Sequence, residues 1–323
     1  MGNIFSQFFF IPAAPLTEKN CPDQTGRVFL ITGGYGGVGF ELAKILYKHN
    51  AVVWIAGRSE LKAQTAITDI QNRVTRSNGQ LKFLFLDLSD LNTIKPAVGT
   101  FVAQAPRLDV LVNNAGVMYP PEGSTDAHGN DLQMGTNCLG PYLLYQLLLP
   151  LLTKTASSPS TPTASVRVLW AGSVGVHVAT PTPQGIVIEA DGRPIDQGVK
   201  PNYAQTKVGN IFMTRECAKA TPETGVIHAS FNPGNLRTGL QRHWTGLDHW
   251  IIDRMILHSP IHGAYTELWT ALSLELTPDK SGAYVYPWGR LGELPPGVED
   301  SITRAGIATK FVGWCANQTR AFL

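Results

Sequence analysis

A tyrosine and a lysine four residues apart, Tyr203 and Lys207 in the stretch YAQTK, have the spacing of a chemically active pair. If the segment is helical, both side chains leave the same face about one turn apart. The lysine ammonium would then stabilise the phenolate and lower the pKa of a phenol that ordinarily titrates at about 10, which suits an acid/base catalyst. The same pair also occurs on many exposed helices, so other parts of the chain are needed to distinguish a catalytic pair from a solvated helix face.

A glycine-rich stretch, TGGYGGVG from Thr32 to Gly39, is a candidate phosphate site. It follows the apolar run RVFLIT and precedes ELAKILYKHN, whose apolar residues have helical spacing. Gly33, Gly37 and Gly39 would let the backbone turn tightly and approach a diphosphate, whose negative charge the start of a helix favours. Alone, such a cluster also forms ordinary turns, but its place between a strand and a helix favours a nucleotide site.

The elements that would position these residues alternate along the chain. Apolar runs are separated by segments long enough for a helix, and they are RVFLIT, AVVWIA, LKFLFL, DVLVNN, VRVLWA, VIHASFN and, last, GAYVYPWGR. This alternation predicts a parallel sheet, and nearly continuous apolar strands predict helices on both of its faces. We expect one α/β domain with a Rossmann-type doubly wound sheet of about seven strands, a small helical lid, and ligands at the carboxyl ends of the strands.

Five further motifs follow the glycine stretch in order, namely NNAG, TNCLG, AGSVG, YAQTK and NPGNLRTG. With the T-G-x-x-x-G-x-G spacing of the glycines, they resemble the short-chain dehydrogenase/reductase family over residues 26–290. We therefore expect a catalytic domain at 26–290, an apolar N-terminal arm at 1–25, and a C-terminal extension at 291–323 that packs on the domain through one helix around ITRAGIATKFVGWC.

The resemblance implies a catalytic role for four residues. Tyr203 would exchange the proton, and Lys207 would tune it and hydrogen-bond the nicotinamide ribose. Ser173 would hold the substrate oxygen, and Asn137 would keep a water in a proton relay. The positions that the resemblance assigns to cofactor contact are Thr32, Gly33, Tyr35, Gly37, Val38, Gly39, Arg58, Asp87, Leu88, Asn114, Ala115, Gly116, Tyr203, Lys207, Pro233, Gly234, Leu236 and Thr238.

The end of the second strand indicates which cofactor is used. NAD-preferring relatives carry an acidic residue there, whereas this chain has Arg58. An arginine would attract the 2′-phosphate of NADP(H) and a carboxylate would repel it, so we expect NADP(H). Alternatively, Arg58 pairs with Glu60 on the surface. Asp87 would contact the adenine, and Asp90 would cap the next helix.

The substrate side of the sequence is apolar. Residues 238–260 have the position of the substrate lid, and their Trp244, Trp250, Ile251, Met255 and Ile256 favour a bulky hydrophobic substrate, unless they only pack as core. The segment 174–202 is longer than in many relatives and resembles a subgroup of retinol dehydrogenases and fungal reductases. It either contributes to specificity or is a surface excursion.

Other features limit the partners. The net charge of +2 without a basic stripe excludes nucleic acid, and four scattered cysteines and the histidines carry no metal spacing. The chain opens MGNIFS, an acceptor pattern for myristate on Gly2, and Phe8, Phe9 and Phe10 follow. Weak membrane association through this arm is one interpretation, and packing of the phenylalanines on the domain is the other. We expect a cytoplasmic protein, peripheral to a membrane if lipidated, and the resemblance allows a homodimer.

These observations predict an NADP(H)-dependent oxidoreductase that interconverts a bulky hydrophobic ketone and its secondary alcohol, with Tyr203 as general acid/base and no metal. Fungal-type secondary metabolism is the expected setting. Two alternatives stay open because fold alone does not determine function. One is a non-redox isomerase, dehydratase or cyclase on the same scaffold, and the other is a module that senses NADP(H).

Overall fold

The apolar runs form the strands of one eight-stranded sheet in the computed structural model, which describes residues 6–239 and 257–323. The strand order is β3-β2-β1-β4-β5-β6-β7-β8, and all neighbours are parallel except β7 and β8. The strands are β1 (Val28–Thr32), β2 (Val52–Gly57), β3 (Gln80–Phe85), β4 (Val110–Asn113), β5 (Arg167–Ala171), β6 (Ile227–Phe231), β7 (Ala283–Tyr286) and β8 (Arg290–Gly292). The doubly wound fold is thus confirmed, and its order reverses between β1 and β4.

One strand more is present than the sequence predicts. The stretch GAYVYPWGR was expected to form a single last strand, but it contains β7 and the turn that leads into β8, which begins at Arg290 and pairs antiparallel with β7. The chain reverses because Pro287 has no N–H to donate and Gly289 adopts a φ of 102°, which favours glycine. The Gly289 N–H closes the turn by donating to the Tyr286 carbonyl oxygen at 2.9 Å.

Helices cover both faces of the sheet. Those of eight residues or more are α1 (Gly37–Lys48), α2 (Glu60–Arg73), α3 (Ile94–Gln104), α4 (Gly140–Ala156), α5 (Val199–Ala220), α6 (Pro260–Leu272), α7 (Pro296–Thr303) and α8 (Ile307–Thr319). Short helical turns lie at Leu91–Thr93, Leu132–Met134, Gly135–Leu139, Gly175–Val178, Pro222–Thr224, Pro278–Lys280 and Arg320–Phe322. Asp90 was expected to cap the next helix, but it caps the first of these turns, which leads into α3, by accepting from the Asn92 N–H at 3.0 Å.

The core has two apolar layers because successive strand residues point to opposite faces. Leu30 of β1 belongs to the layer that includes α3, α4, α5 and α8, where Trp54 meets Phe101 edge-on at 5.1 Å between ring centroids. Phe29 and Ile31 belong to the other layer, with α1, α2 and α6. Burial on both faces explains why β1 is apolar throughout.

The C-terminal extension differs from its prediction. One helix was expected around ITRAGIATKFVGWC, but α7 ends at Thr303 and α8 begins after Gly306, whose left-handed φ of 66° does not fit a continuous helix. The extension nevertheless packs on the domain, since Phe311 of α8 lies 6.2 Å from Phe212 of α5 between ring centroids.

Some predictions concern residues outside the described part of the chain. They are the modification of Gly2 and most of the proposed lid, including Trp244, Trp250, Ile251, Met255 and Ile256. Within residues 6–239 and 257–323, no helix combines the length and apolar character needed to cross a membrane. The four cysteines are buried and unpaired.

Candidate active site

A cavity of about 590 Å³ lies at the carboxyl ends of the parallel strands, where the doubly wound fold predicts ligand binding. Its walls come from the ends of β1 to β6 and from the loops that follow them. Every predicted catalytic or cofactor residue lines this cavity except Gly39 and Asn137. The volume is in the range of cavities that hold small organic ligands.

The glycine loop provides the backbone geometry expected for a diphosphate. Gly33 and Gly37 have φ values of 69° and 54°, which side-chain-bearing residues rarely adopt. The next helix, α1, begins after Gly36 without a side-chain cap, and a Cβ on Gly36 would meet open space. The start of α1 therefore presents unobstructed backbone and its positive dipole end to the cavity.

Gly39 does not line the cavity and has a packing role instead. A Cβ there would lie 2.7 Å from the Asn114 side-chain nitrogen and 2.9 Å from the Gly33 carbonyl oxygen. Asn114 uses that nitrogen to donate to the Thr32 carbonyl oxygen at 2.8 Å, and the Ala115 N–H donates to Thr32 Oγ1 at 2.9 Å. The small residue thus lets the loop pack against the end of β4.

The outer end of the cavity, beyond β2 and β3, carries a cation. The Arg58 side chain is 56% exposed, and its Nε lies 3.9 Å from Asp87 Oδ1, so its acidic neighbour is Asp87 and not Glu60. Asp87 also accepts from the Ser89 N–H at 2.9 Å and the Ser89 hydroxyl at 2.6 Å. The Tyr35 ring lies against Gly57, where a Cβ would come within 2.2 Å of Cε1.

Tyr203, Lys207 and Ser173 meet at the opposite end of the cavity. Helix α5 carries the first two, with 8% and 4% of their surfaces exposed, and the loop after β5 carries the serine. Lys207 Nζ lies 5.5 Å from the Tyr203 ring centroid and donates to the Ala171 carbonyl oxygen at 3.0 Å. The loop is fixed by the Gly175 N–H, which donates to Ser173 Oγ at 3.0 Å.

The pKa values of this pair differ from the expectation. Burial raises the pKa of Tyr203 above its usual range, and the hydrogen bond with Ser173 lowers it by less. Burial also lowers the pKa of Lys207 to about 8, since the ammonium is removed from water. The predicted fall in the tyrosine pKa is therefore not found in this structure, because desolvation outweighs the hydrogen bond with Ser173.

Asn137 lies behind the cavity wall. Its side-chain oxygen accepts from the Val117 N–H at 2.8 Å, and its nitrogen donates to the Val117 carbonyl oxygen and to Thr206 Oγ1, both at 3.0 Å. It lies in the π-helical turn Gly135–Leu139, where the ladder of helix hydrogen bonds is widened. These bonds join α5 to the loop after β4, so the side chain positions that loop.

Several cavity residues were not predicted. Phe8, Met118 and Tyr119 line it, and the Tyr119 ring meets the Tyr203 ring edge-on at 5.5 Å between centroids. Tyr119 adopts a φ of 53°, unusual for a side-chain-bearing residue. Its position three residues after the NNAG motif was the only local signal. Phe8 has no local signal, because its contact with the cavity joins parts of the chain that are far apart in sequence.

The long segment 174–202 has two parts. Its beginning lines the cavity through Val174, Gly175, Val178 and Ala179, whereas its later part packs against the C-terminal extension. A Cβ on Gly192, for instance, would come within 2.2 Å of the Lys310 carbonyl oxygen in α8. The first part thus lies at the cavity and the later part lies on α8, and a contribution of the segment to specificity stays a prediction.

Comparison with known proteins identifies the family. A model of the short chain dehydrogenase family matches residues 27–165. A short-chain dehydrogenase/reductase of Phomopsis amygdali is 38% identical over 100% of this chain and 98% of its own length. The chain belongs to the short-chain dehydrogenase/reductase family, whose members are oxidoreductases that bind nicotinamide cofactors.

Solved structures share the fold. A short-chain dehydrogenase of Shigella flexneri, complexed with NADP, is 20% identical with a TM-score of 0.60 over 82% of this chain and 98% of its own. A 3-ketoacyl-(acyl-carrier-protein) reductase of Brucella melitensis, complexed with NADH, is 21% identical with a TM-score of 0.62 over 80% and 96%. Proteins with this fold therefore bind either nucleotide.

Proposed function

We propose that this protein is an NADP(H)-dependent oxidoreductase that interconverts a bulky hydrophobic ketone and its secondary alcohol. The observation that carries the proposal is the meeting of Tyr203, Lys207 and Ser173 in one cavity with the glycine loop. A buried phenol and ammonium in this cavity suit proton exchange at a reacting oxygen.

The residues present fit a dinucleotide. Gly36 faces open space at the start of α1, so the backbone could approach a diphosphate there. Arg58 lies at the end of β2 and would pair with a 2′-phosphate, while Asp87 Oδ1 at 3.9 Å would hold its guanidinium in place. Lys207 lies near the other end of the cavity, where its ammonium would donate to a ribose hydroxyl.

The chain's own residues would handle the proton and the substrate oxygen. NADP(H), when bound, supplies or accepts the hydride. In the reducing direction Ser173 Oγ would donate to the carbonyl oxygen, and Tyr203 would deliver its proton to that oxygen. Because burial raises the pKa of Tyr203, the phenol keeps this proton at neutral pH until negative charge develops on the substrate. Lys207 would then stabilise the phenolate that remains.

The substrate end supports an apolar ligand. Besides Ser173 and Tyr203, the described cavity wall includes apolar and aromatic side chains, which are Phe8, Met118, Tyr119, Val174, Val178 and Leu257. Such a wall favours burial of an aryl or alkyl group and offers little to a polar sugar.

A deuterium-transfer experiment tests the proposal. The protein is incubated with NADPH deuterated at nicotinamide C4 on either face and with a panel of aryl ketones. We expect an alcohol that carries one deuterium from one of the two labelled forms, with equimolar loss of NADPH. A product formed without deuterium and without NADPH loss would show isomerase-type chemistry and would refute the redox function.

A further inference from the structure

The N-terminal arm reaches the same cavity as the catalytic residues. Phe8 contributes to the cavity wall although it lies far from Tyr203 in sequence. The next two residues of the arm do not line the cavity and face solvent more, since Phe9 is 42% and Phe10 is 90% exposed. Only one of the three phenylalanines is therefore placed to touch a ligand in the cavity.

Two hydrogen-bonded anchors hold the arm in place. Asn232 Nδ2 donates to Gln7 Oε1 at 2.9 Å, and both side chains are almost fully buried, at 1% and 0% exposed. Arg290 Nη2 donates to the Ser6 carbonyl oxygen at 2.7 Å and to Ser6 Oγ at 3.0 Å. A buried amide pair is costly to separate because each group would lose its partner away from water.

The anchors also show which end of the cavity Phe8 closes. Asn232 directly follows β6 and precedes Pro233, and Arg290 begins β8. Arg58, at the proposed adenosine end, follows β2, which lies on the other side of β1 in the sheet. Phe8 therefore belongs with Ser173 at the reacting end of the cavity and not with Arg58.

We propose that Phe8 is a specificity-determining residue, held by the Gln7–Asn232 and Ser6–Arg290 anchors, that limits the size of the apolar group beside the reacting carbonyl. This inference rests on the proposed function for the location of the substrate. It gives the N-terminal arm a role in ligand selection that the catalytic motifs do not cover. A compact aryl ketone would pack against the Phe8 ring, and a larger one would clash with it.

The test compares binding of acetophenone and 2-acetylnaphthalene to the full chain by isothermal titration calorimetry. NADP⁺ is present at saturation because it cannot reduce a ketone, and the titrations are repeated without it. In Phe8→Ala we expect the ratio of the two dissociation constants to shift in favour of the larger ketone by about tenfold or more. The matched control Phe10→Ala, on the exposed side of the arm, should keep the ratio within about twofold of wild type.

A second variant tests the anchor. Gln7→Leu removes the acceptor for Asn232 without touching the cavity, and we expect faster hydrogen exchange of the arm and a shift of the ratio in the same direction. The inference is overturned if either Phe8→Ala or Gln7→Leu keeps the wild-type ratio of the two dissociation constants. It is also overturned if neither ketone binds the wild-type protein. Failure of NADP⁺ itself to bind would instead refute the proposed function, and the titrations without nucleotide would still measure the effect of Phe8.

Discussion

Lys207 Nζ lies 5.5 Å from the centroid of the Tyr203 ring and donates to the Ala171 carbonyl oxygen at 3.0 Å. Asn210 donates to the same carbonyl oxygen at 2.9 Å, so the ammonium is held beside the phenol by the end of β5. Both side chains are buried. Burial raises the pKa of the phenol, which keeps its proton, and lowers the pKa of the ammonium, which loses its proton more easily. This arrangement underlies our proposal that Tyr203 gives up its proton when negative charge develops on the substrate oxygen.

The buried lysine predicts a pH dependence of cofactor use. Its pKa in the nucleotide-free protein is about 8, so the ammonium is present below this pH and is lost above it. We expect kcat/KM for NADPH, which reports the free enzyme, to fall as pH rises through about 8. Steady-state rates between about pH 6.5 and about pH 9.5 measure this. Lys200→Met, an exposed change on the same helix, should keep the inflection, and a flat wild-type profile would contradict the assignment.

Arg58 should determine the choice of nucleotide. We expect Arg58→Gln to weaken NADPH binding by roughly 10- to 100-fold, the range of one charged hydrogen bond, with little effect on NADH. Fluorescence titration of both nucleotides measures it. Arg76→Gln, an exposed arginine beyond α2, serves as the control and should change neither affinity. An equal loss for both nucleotides would show that Arg58 does not contact the 2′-phosphate.

Asn137 should contribute to stability as well as to any proton relay. Asn137→Ala leaves the Val117 N–H without its acceptor, and it removes the donor to the Thr206 hydroxyl, which keeps its own bond to the Tyr203 carbonyl oxygen. We expect the free energy of unfolding to fall by about 1–3 kcal/mol, measured by urea denaturation. Asn92→Ala, in an exposed turn, should change it by less than about 0.5 kcal/mol. If Asn137→Ala matches the wild type in stability, the positioning role is wrong.

A buried histidine should limit stability in acid. His228 on β6 is fully buried beside the Tyr145 ring, and burial lowers its pKa to about 3. In the unfolded chain it takes up a proton below about pH 6.5, so its contribution to stability falls as pH decreases from there towards 3. As pH decreases from about 6 to about 4, we expect the free energy of unfolding of His228→Phe to fall by about 1.4 kcal/mol less per pH unit than that of the wild type. Parallel stability curves for the two proteins would contradict this.

The sequence predicted what depends on local pattern. Strands such as β1 are recognisable because Val28–Thr32 is apolar on both faces, and the glycine spacing located the turn before α1. The reversal at Gly289 and the break at Gly306 were missed because a left-handed glycine is not distinguishable from any other glycine in a sequence. The place of Phe8 depends on the contact between Gln7 and Asn232, which no local pattern reveals.

The direction of the pKa shift of Tyr203 could not be predicted from the sequence either. Spacing showed that Lys207 would be close, but it could not show how completely the sheet and the loop after β4 exclude water. The desolvation of both groups decides the balance, and it depends on the packing of the whole domain.

The most direct test of the account is single-turnover reduction of acetophenone by the NADPH complex of wild type and of Tyr203→Phe. The substitution keeps the ring that packs on Tyr119 and removes only the hydroxyl. We predict unchanged NADPH affinity and a rate of NADPH oxidation lower by a factor of about 10² to 10⁴. A variant that oxidises NADPH at the wild-type rate would show that the Tyr203 hydroxyl does not deliver the proton.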